Sequence, residues 1–334
     1  MRPGGAWAER VGDVGEDVLV ASVLSRYGPL PALVRVGPGD DAAVLDLTGP
    51  VVVSTDTLVE GHDFRREWSG AADVGIKTAA QNLADVAAMG AHPVALLVSL
   101  AAGPDLPVAW AQDLATGLDD ECRRAGAAVV GGDVSEAEQI VITGTALGVL
   151  PGPAVRRSGA RPGDVVALAG RTGPSAAGWA LLRAGWADGR LGAGPALTAA
   201  VTAHRGPRPG YAAGPEAAAA GATAMIDISD GLVRDAGRIA AASGVVIELD
   251  GAALAPGPDL GEVAGVLGAP GQARAWVLTG GEDHALLACF PAGTVLPAAY
   301  RPVGRVAPAA PGKGVAVRVD GRAWTAGTGW HHWN

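Results

Sequence analysis

Apolar and polar residues recur along the chain with the two periods that distinguish helices from strands. Residues 72–89 carry apolar side chains at helical spacing and one polar stripe, in which Lys77, Gln81 and Asp85 stand at positions i, i+4 and i+8. We expect this segment to form a helix. Because the stripe interrupts an otherwise apolar surface, it predicts polar surroundings inside the protein.

Other apolar runs predict further elements. Helices are expected at residues 5–27, 107–125 and 232–242, and strands at residues 42–47, 50–54, 93–100, 127–130, 139–150, 165–169, 224–228, 245–249, 275–278 and 286–290. On the helix at 107–125 the solvent face is expected to carry four acids, Asp113, Asp119, Asp120 and Glu121. Pro151-Gly152-Pro153 predicts a domain boundary, which divides the chain into residues 1–150 and residues 151–334.

Acidic residues stand at the ends of several of these runs. They occur in Gly39-Asp40-Asp41, Ser54-Thr55-Asp56, Gly131-Gly132-Asp133 and Asp227-Ile228-Ser229-Asp230-Gly231. Carboxylates gathered in one place repel each other unless a cation lies between them, and oxygen ligands suit hard ions such as Mg²⁺. The pattern therefore predicts an acidic cleft filled by metal ions. The paired glycines before Asp133 are expected to break their strand and to let a backbone or a phosphate approach closely.

Each acidic segment also has a purely structural interpretation. Asp85 alone could be solvated or paired with an arginine, and the segment from Ser54 to Asp56 could form a cap or a turn. Ser229 or Asp230 could be the N-cap of the helix that follows. The glycine-rich residues 170–178, GRTGPSAAG, open a helix and are a further candidate anion site.

Composition excludes some classes of function. The 334 residues carry a formal net charge of −9, and no basic stripe is available to neutralise the phosphates of a nucleic acid. The two cysteines lack CxxC spacing, so we expect core thiols in a reducing compartment. The N-terminus lacks the apolar region of a signal peptide and no apolar run reaches transmembrane length, which predicts a cytoplasmic protein without membrane partners.

Seven motifs resemble the thiamine-monophosphate kinase family and stand in the family's order. They read GDDAAVL, STDTLVEGHDF, AQNLADVAAMGAHP, GGDV, RRSGARPGD, MIDISDGL and LTGGEDHALL, and they extend over nearly the whole chain. The family belongs to the superfamily of aminoimidazole ribonucleotide synthetase and selenophosphate synthetase. STDTLVEG and GGEDHALL together are not general features of that superfamily, so the resemblance is specific to the family.

The resemblance implies transfer of the γ-phosphate of ATP to thiamine monophosphate, giving thiamine diphosphate and ADP. It implies an α/β (α+β) subunit with the two-domain PurM-like fold, with a mixed-sheet C-terminal domain and ATP held between the domains. It also implies a homodimer, in which the N-terminal sheets pair into a β-barrel. The chain has no GxxxxGKS or GxxxxGKT loop, so several Mg²⁺ ions must neutralise and align the two phosphates. Because the acceptor is already an anion, no general base and no covalent intermediate are expected.

Site residues are carried over from the family by motif position. The implied magnesium ligands are Asp41, Ser54, Thr55, Asp56, Asp85, Asp133, Asp227 and Asp230, of which Asp85, Asp133 and Asp230 are expected to be catalytic. The implied ATP contacts are Gly132, Asp133, Arg157 and Ser229, and the implied thiamine contacts are Asp63, Glu282 and Trp330. The number of ions, and whether Asp40 or Asp41 does most of the ligation, stay open.

The chain departs from the family in the segment VEGHDF. The family pattern is VEGxHF, so Asp63 stands in the histidine column and His62 precedes it. Either His62 turns toward the substrate, or Asp63 takes that role, or both simply flank a loop. The segment RGPRPG also differs from the family's usual spacing, and no role is assigned to Arg205 or Arg208.

Two alternative functions stay open from the sequence. The first is another ATP-dependent enzyme of the superfamily, although the reactive cysteines that its selenophosphate and hydrogenase-maturation members need are missing here. The second is a non-catalytic, metal-dependent nucleotide-binding dimer. Clustered carboxylates argue against the second alternative. Their mutual repulsion destabilises the fold, and a protein without metal chemistry has no compensating use for them.

Overall fold

A computed structural model describes residues 9–309, 316–324 and 329 and contains both helices and strands in each half of the chain. The helices are α1 (Val11–Val14), α2 (Glu16–Leu24), α3 (Ala71–Ala88), α4 (Val108–Ala125), α5 (Pro174–Arg183), α6 (Pro195–Arg205), α7 (Ala213–Ala219), α8 (Leu232–Ser243), α9 (Pro258–Val266) and α10 (Gln272–Thr279). The strands are β1 (Val34–Val36), β2 (Val44–Leu45), β3 (Val51–Val59), β4 (His92–Ala102), β5 (Ala128–Glu136), β6 (Val141–Val149), β7 (Val165–Ala169), β8 (Ala224–Asp227), β9 (Val245–Leu249), β10 (Leu286–Phe290), β11 (Tyr300–Pro308), β12 (Ala316–Val319) and β13 (Arg322–Ala323). In these ranges we find no helix long and apolar enough to cross a membrane.

The N-terminal half is built on a four-stranded sheet in the order β3-β6-β4-β5. Strands β4 and β5 are parallel, and the other neighbours are antiparallel. Helices α3 and α4 cover one face of this sheet and are close to each other. A Cβ on Gly75 would lie 2.2 Å from the carbonyl oxygen of Leu114, and one on Gly117 would lie 2.0 Å from that of Ala72. Glycine at these two positions therefore sets the spacing of the two helices.

The C-terminal half is built on a seven-stranded mixed sheet in the order β13-β12-β9-β11-β7-β10-β8. Among the strands that the structure describes, β9 and β12 pair in parallel and the other pairs are antiparallel. Helices α5, α6, α8, α9 and α10 pack on one face. Helix α7 and the end of α3 pack on the other face.

Helix α3 joins the two halves. It contacts β8, α6 and α7 of the C-terminal half as well as the sheet of its own half. A Cβ on Gly214 of α7 would lie 1.9 Å from the carbonyl oxygen of Ala87, so the two helices touch at their backbones. The amide of Val155 donates to the carbonyl of Met89 at 3.0 Å. The polar stripe of α3 is therefore placed at the boundary between the halves.

The structure confirms most of the predicted elements and corrects four. The strand predicted at 50–54 continues to Val59, so Ser54, Thr55 and Asp56 lie within β3 and the interpretation of that segment as a cap or a turn is wrong. The helix at 72–89 and the strands at 165–169, 245–249 and 286–290 are confirmed. Gly15, with a φ of 76°, separates α1 from α2 where the pattern predicts one helix. The pair Gly131-Gly132 does not break its strand, because β5 continues to Glu136 through an irregular register against β4. Residues 275–278 lie in α10, where their apolar side chains form the buried face of a helix.

Glu121 is fully buried in α4, so its predicted place on the solvent face is wrong. Its carboxylate binds the guanidinium of Arg124, accepts from Arg208 Nη1 at 2.5 Å and accepts from the Tyr211 hydroxyl at 2.6 Å. The segment that carries Arg208 and Tyr211 packs over this face of α4 and excludes water from it. Arg208, which has no role in the sequence analysis, is thus a structural link between the halves.

Candidate active site

Four of the predicted ligands meet where β3 and α3 face the edge strand β8. The hydroxyl of Ser54 donates to Oδ2 of Asp85 at 2.6 Å. Asp85 also lies within electrostatic reach of Asp227 at the end of β8 and of Asp56 on β3. His284, from the loop after α10, places Nδ1 3.2 Å from Oδ2 of Asp227. Side chains from both halves of the chain therefore form one acidic cluster.

The carboxylates of the acidic cluster repel one another. Burial, followed by the charges of Asp227 and Asp56, raises the pKa of Asp85 to about 7, although the hydrogen bond from Ser54 and the charge of His284 lower it. In the part of the chain that the structure describes, Asp85 is bound by the hydroxyl of Ser54 and forms no ion pair with an arginine, so the interpretation of Asp85 as an arginine-paired acid is wrong. A cation placed between Asp85 and Asp227 would relieve this repulsion.

The donor set fits a hard divalent ion that is only partly held by protein. Among the residues that the structure describes, no three carboxylate, imidazole or thiol side chains are grouped so that they could hold a metal ion by themselves. Magnesium usually keeps several waters and binds through one or two carboxylates together with substrate phosphates. Asp85, Asp227 and the hydroxyl of Ser54 are ligands of that kind.

Asn82, which lies beside the polar stripe and has no role assigned to it from the sequence, fixes β3 against α3. Its Oδ1 accepts the amide of Asp56 at 2.9 Å, and its Nδ2 donates to the carbonyl of Thr78 at 2.8 Å. The side chain is fully buried. The only available signal was its position directly after Gln81 of the polar stripe. Asn82 therefore positions the strand segment that carries Ser54 and Asp56.

Asp230 precedes the N-cap of α8 and is bound by arginine in this structure. Its carboxylate binds the guanidinium of Arg238, and Nε of Arg234 lies 3.7 Å from Oδ2. Asp235 accepts the amides of Asp230 and Gly231 at 3.0 and 3.1 Å. The N-cap of α8 is Gly231, so the interpretation of Ser229 or Asp230 as the N-cap is wrong. Asp235 and Arg238 hold this turn, and neither was singled out from the sequence.

A second group of polar side chains surrounds Glu282. Nζ of Lys77 lies 2.8 Å from Oε1 of Glu282 and donates to the carbonyl oxygen of Asp63 at 3.0 Å. Nδ1 of His204 lies 3.3 Å from Oε2 of Glu282 and 3.2 Å from the hydroxyl of Ser175. Burial acts to raise the pKa of Glu282, but the charge of Lys77 and the hydrogen bond to His204 outweigh it and hold that pKa well below its ordinary value. Glu282 is therefore a carboxylate held at both oxygens.

The loop from Gly280 to Ala285 carries three successive side chains with different partners. Glu282 binds Lys77, Asp283 binds the start of α5, and His284 lies beside Asp227. Glu282 and His284 have φ values of 63° and 52°, a backbone region that non-glycine residues rarely adopt. The amides of Glu282 and His284 donate to the carbonyls of Ser229 and Ile228 at 2.8 and 3.0 Å, which fixes the loop against β8 and its turn. Strained backbone held in this way is typical of functional sites.

Asp283, the residue between them, fills the glycine-rich segment 170–178. Its carboxylate accepts the amides of Gly173 and Ser175 at 2.6 and 2.9 Å, at the start of α5. At these two amides the candidate anion site holds the carboxyl group of a side chain of the same protein. They are thus already occupied.

Two predicted ligands lie on the other face of the N-terminal sheet. Thr55 alternates with Ser54 along β3, and its hydroxyl donates across to the carbonyl of Gly144 at 2.7 Å. The register can be followed across the sheet from β5 to β3. Asp133 on β5 lies opposite Ser99 on β4, Ser99 lies opposite Thr143 on β6, and Thr143 lies opposite Thr57 on β3. Neighbours in register share a face, so Asp133 and Thr55 face away from α3 and from Asp85.

The remaining predicted residues are dispersed. Asp41 is exposed after β1, and its amide donates to the carboxylate of Asp40 at 2.9 Å. Arg157 is exposed, and Ser229 is half-buried. Gly132 is required by close approach, because a Cβ there would lie 1.9 Å from the carbonyl oxygen of Val98. Trp330 lies outside the described residues, although a Cβ on the adjacent Gly329 would lie 2.0 Å from the carbonyl oxygen of Asp230.

The structure separates His62 from Asp63. The carboxylate of Asp63 accepts the amide of Val59 at 2.8 Å, and its side chain is half-buried beside Lys77. His62 is exposed at the outside of the same turn. Asp63 therefore shapes the turn, and His62 is the side chain of the pair that faces solvent.

Models of two protein domains match the chain. The model described as AIR synthase related protein, N-terminal domain, matches residues 39–150, and the corresponding C-terminal domain matches residues 161–281. The PurM-like α/β fold implied by the resemblance is confirmed. The boundaries of the domains at residues 1–150 and 151–334 stay a prediction.

Relatives that match over most of the chain identify the family within this group of proteins. A thiamine-monophosphate kinase of Mycobacterium tuberculosis is 47% identical over 305 residues, which cover 90% of this chain and 86% of the relative. The crystal structure of thiamine-monophosphate kinase from Stenotrophomonas maltophilia K279a matches with a TM-score of 0.76 and 31% identity, covering 92% of this chain and 96% of that one. The structure of AaThiL complexed with AMPPCP and TMP matches with a TM-score of 0.76 and 30% identity, covering 98% and 100%. The chain belongs to the thiamine-monophosphate kinase family.

Proposed function

We propose that this protein transfers the γ-phosphate of ATP to thiamine monophosphate and releases thiamine diphosphate and ADP. The observation that carries the proposal is the acidic cluster, in which Asp85 and Asp227 meet across the two halves of the chain. Relatives that share most of the chain are named for this activity. One solved relative holds AMPPCP, an ATP analogue, together with TMP.

The reaction joins two anions, so its main barrier is electrostatic. The acceptor phosphate of thiamine monophosphate is already ionised at neutral pH and needs no general base. The protein has to place the acceptor oxygen in line with the γ-phosphorus and to prevent the two phosphates from repelling each other. The fixed backbone of β3, held by Asn82, and of β8, held by the loop of His284, suits the positioning part of this task.

We propose that one magnesium ion binds at Asp85 and Asp227 with the hydroxyl of Ser54 and with Asp56 beside it, and that Asp41, Thr55, Asp133 and Asp230, which lie outside the acidic cluster, are ligands of further magnesium ions. When bound, the ions supply the positive charge that the phosphates require. Asp230 would share its carboxylate with Arg238, which is already bound to it. We further propose ATP contacts at Gly132, Asp133, Arg157 and Ser229, and thiamine contacts at Asp63, Glu282 and Trp330.

We also propose a homodimer. The face of the N-terminal sheet opposite α3 carries Val51, Val53 and Leu97, and Val53 is 61% exposed. Exposed apolar side chains on one sheet face are typical of an interface. The same face carries Thr55 and Asp133, so a second copy would enclose these two polar residues.

Light scattering after gel filtration should give twice the mass of one chain, and Val53→Asp should shift that mass toward one chain.

The direct test of the activity incubates the protein with ATP, magnesium and thiamine monophosphate and separates the products by chromatography. We expect thiamine diphosphate to form in step with ADP, and we expect EDTA to abolish both. ATP hydrolysis or ATP binding without thiamine diphosphate would contradict the proposal. The first of these results would indicate another acceptor, and the second would indicate a nucleotide-binding protein without turnover.

A further inference from the structure

Lys77 is a buried cation in the middle of the interface between the two halves. Its side chain is 3% exposed. Lysine is rarely buried without a partner, because removing an ammonium from water is costly. It is one of two lysines in the chain, and it is neither a proposed magnesium ligand nor a proposed substrate contact. Its place in the polar stripe of α3 is the signal that singled it out from the sequence.

The partners of Lys77 come from two separate parts of the chain. Nζ binds the carboxylate of Glu282, which belongs to the C-terminal half, and the main-chain carbonyl of Asp63, which belongs to the N-terminal half. Glu282 and Asp63 are the two described residues among the proposed thiamine contacts. One ammonium group therefore connects both sides of the proposed thiamine site.

Glu282 is held firmly but is still accessible. Its oxygens face Lys77 and His204 at 2.8 and 3.3 Å, and its backbone is fixed by the carbonyl of Ser229 at 2.8 Å. The side chain nevertheless keeps 37% of its exposure. A carboxylate with a fixed direction and an open side is suited to a ligand that carries positive charge, such as the thiazolium ring of thiamine.

Helix α3 relates this site to the acidic cluster. Lys77 and Asp85 are eight residues apart on one stripe, which corresponds to about 12 Å at 1.5 Å per residue. Thiamine monophosphate carries its cationic ring system and its phosphate at opposite ends. A rigid helix with one anchor at each end of the substrate fixes both the orientation of the ring and the position of the phosphate.

We propose that Lys77 is a positioning residue that fixes Glu282 and the Asp63 turn at a set distance from Asp85, so that the ring of thiamine monophosphate is held with its phosphate at the acidic cluster. This inference rests on the proposed function. It gives Lys77 no contact with the reacting atoms and no part in proton transfer.

The test measures the KM for thiamine monophosphate and the KM for ATP separately in Lys77→Met, Lys77→Arg and Glu282→Gln. For Lys77→Met we expect the KM for thiamine monophosphate to rise about tenfold or more, equivalent to about 1.4 kcal/mol, and the KM for ATP to change by less than about threefold. Lys77→Arg, which keeps the charge, should recover part of the loss. Arg305→Met is the matched control, because it removes the same charge from a side chain that is 74% exposed.

A double-mutant cycle separates positioning from a general structural role. If Lys77 acts through Glu282, the double variant Lys77→Met/Glu282→Gln should have nearly the same KM for thiamine monophosphate as Glu282→Gln alone. Equal changes in both KM values, no change in either, or additive effects in the cycle would overturn the inference. If Lys77→Met does not fold, Lys77→Arg and its cycle with Glu282→Gln decide by the same criterion. A wild-type protein that makes no thiamine diphosphate would instead overturn the proposed function.

Discussion

Asp85 illustrates how a single residue combines burial, charge and position. It stands on a helix whose neighbours are nearly all apolar, yet it faces two further carboxylates and one serine hydroxyl. The resulting rise of its pKa to about 7 reflects an environment that disfavours an uncompensated negative charge. Such shifts are concentrated at functional sites.

Asp85→Asn should reduce turnover to thiamine diphosphate by about 10²-fold to 10³-fold with little loss of stability. Asparagine can still accept the hydrogen bond from Ser54, but it cannot supply the charge that a cation requires. Steady-state turnover and urea unfolding measure the two effects. The matched control is Asp73→Asn, which changes an acid in the first turn of the same helix. Unchanged turnover in Asp85→Asn would contradict the assigned role.

Gly144→Ala should destabilise the protein by about 1–3 kcal/mol, because a new Cβ would lie 2.4 Å from Nδ2 of Asn82. The displaced amide would also release the Asp56 segment, so turnover should fall as well. Gly152→Ala is the control, since a Cβ at that position meets no atom within 4 Å. Urea unfolding of both variants tests this, and equal stabilities would contradict the role given to Asn82.

At the scale of elements, the interface between the halves is made by helices of the N-terminal half that carry buried charges. Lys77 on α3 pairs with Glu282, and Glu121 on α4 pairs with Arg208 and with the hydroxyl of Tyr211. Each pair joins segments that are distant in sequence. Removing one member leaves a buried charge without its partner, which costs more than the pair contributes.

Glu121→Gln should lower the free energy of unfolding by about 1–3 kcal/mol, because Arg124, Arg208 and the hydroxyl of Tyr211 would lose their common carboxylate, while the two guanidinium groups, 35% and 47% exposed, stay partly hydrated. The exposed neighbour provides the control, since Asp120→Asn should change stability by less than about 0.5 kcal/mol. Thermal and urea unfolding give both values. A Glu121→Gln variant as stable as the control would show that Glu121 is dispensable.

An element can be predicted from the sequence when the residues that determine it are neighbours in the chain. The apolar period of α3 defines that helix from nearby residues alone. The β-branched run predicts only residues 50–54 of β3, and pairing with β6 extends the strand to Val59. Residues 275–278 are a short apolar run, and such a run is compatible with a strand or with one face of a helix; packing against α5, α8 and α9 decides for α10. The face on which Asp133 stands depends on strand register, which the local pattern around two glycines does not define.

Burial of a charged side chain depends on contacts with residues that are distant in the sequence. Glu121 looks like one of four surface acids because its partners, Arg208 and Tyr211, are 87 and 90 positions away in the chain. The acidic residues Asp85 and Asp227 were identifiable because each ends or interrupts an apolar run. The residues that hold them or their neighbours in place, such as Asn82 and His284, make hydrogen bonds that only the tertiary structure defines.

At the scale of the whole molecule, ion pairs between the halves couple stability to pH. The pKa of Glu282 lies below its ordinary value of 4.5 in the folded protein, so the unfolded chain binds this proton first as the pH falls. The contribution of Glu282 to stability is therefore complete above about pH 4.5 and is lost as the pH falls further.

The stability difference between wild type and Glu282→Gln should accordingly be larger at pH 6 than at pH 3. Urea unfolding at both values measures it, and the same comparison for Arg305→Met provides a control for a pair exposed at the surface. A difference that is the same at both pH values would show that Glu282 is not ionised preferentially in the folded state.

The central claim is that phosphate passes directly from ATP to thiamine monophosphate at a site shared by both halves. The most direct measurement is a single-turnover reaction with ATP labelled in the γ-phosphate, stopped at short times with EDTA and detergent at neutral pH, because acid would hydrolyse a phosphohistidine. We predict that the label appears in the terminal phosphate of thiamine diphosphate and at no time on the protein. Label bound to the protein before product forms, or released only as free phosphate, would contradict the account.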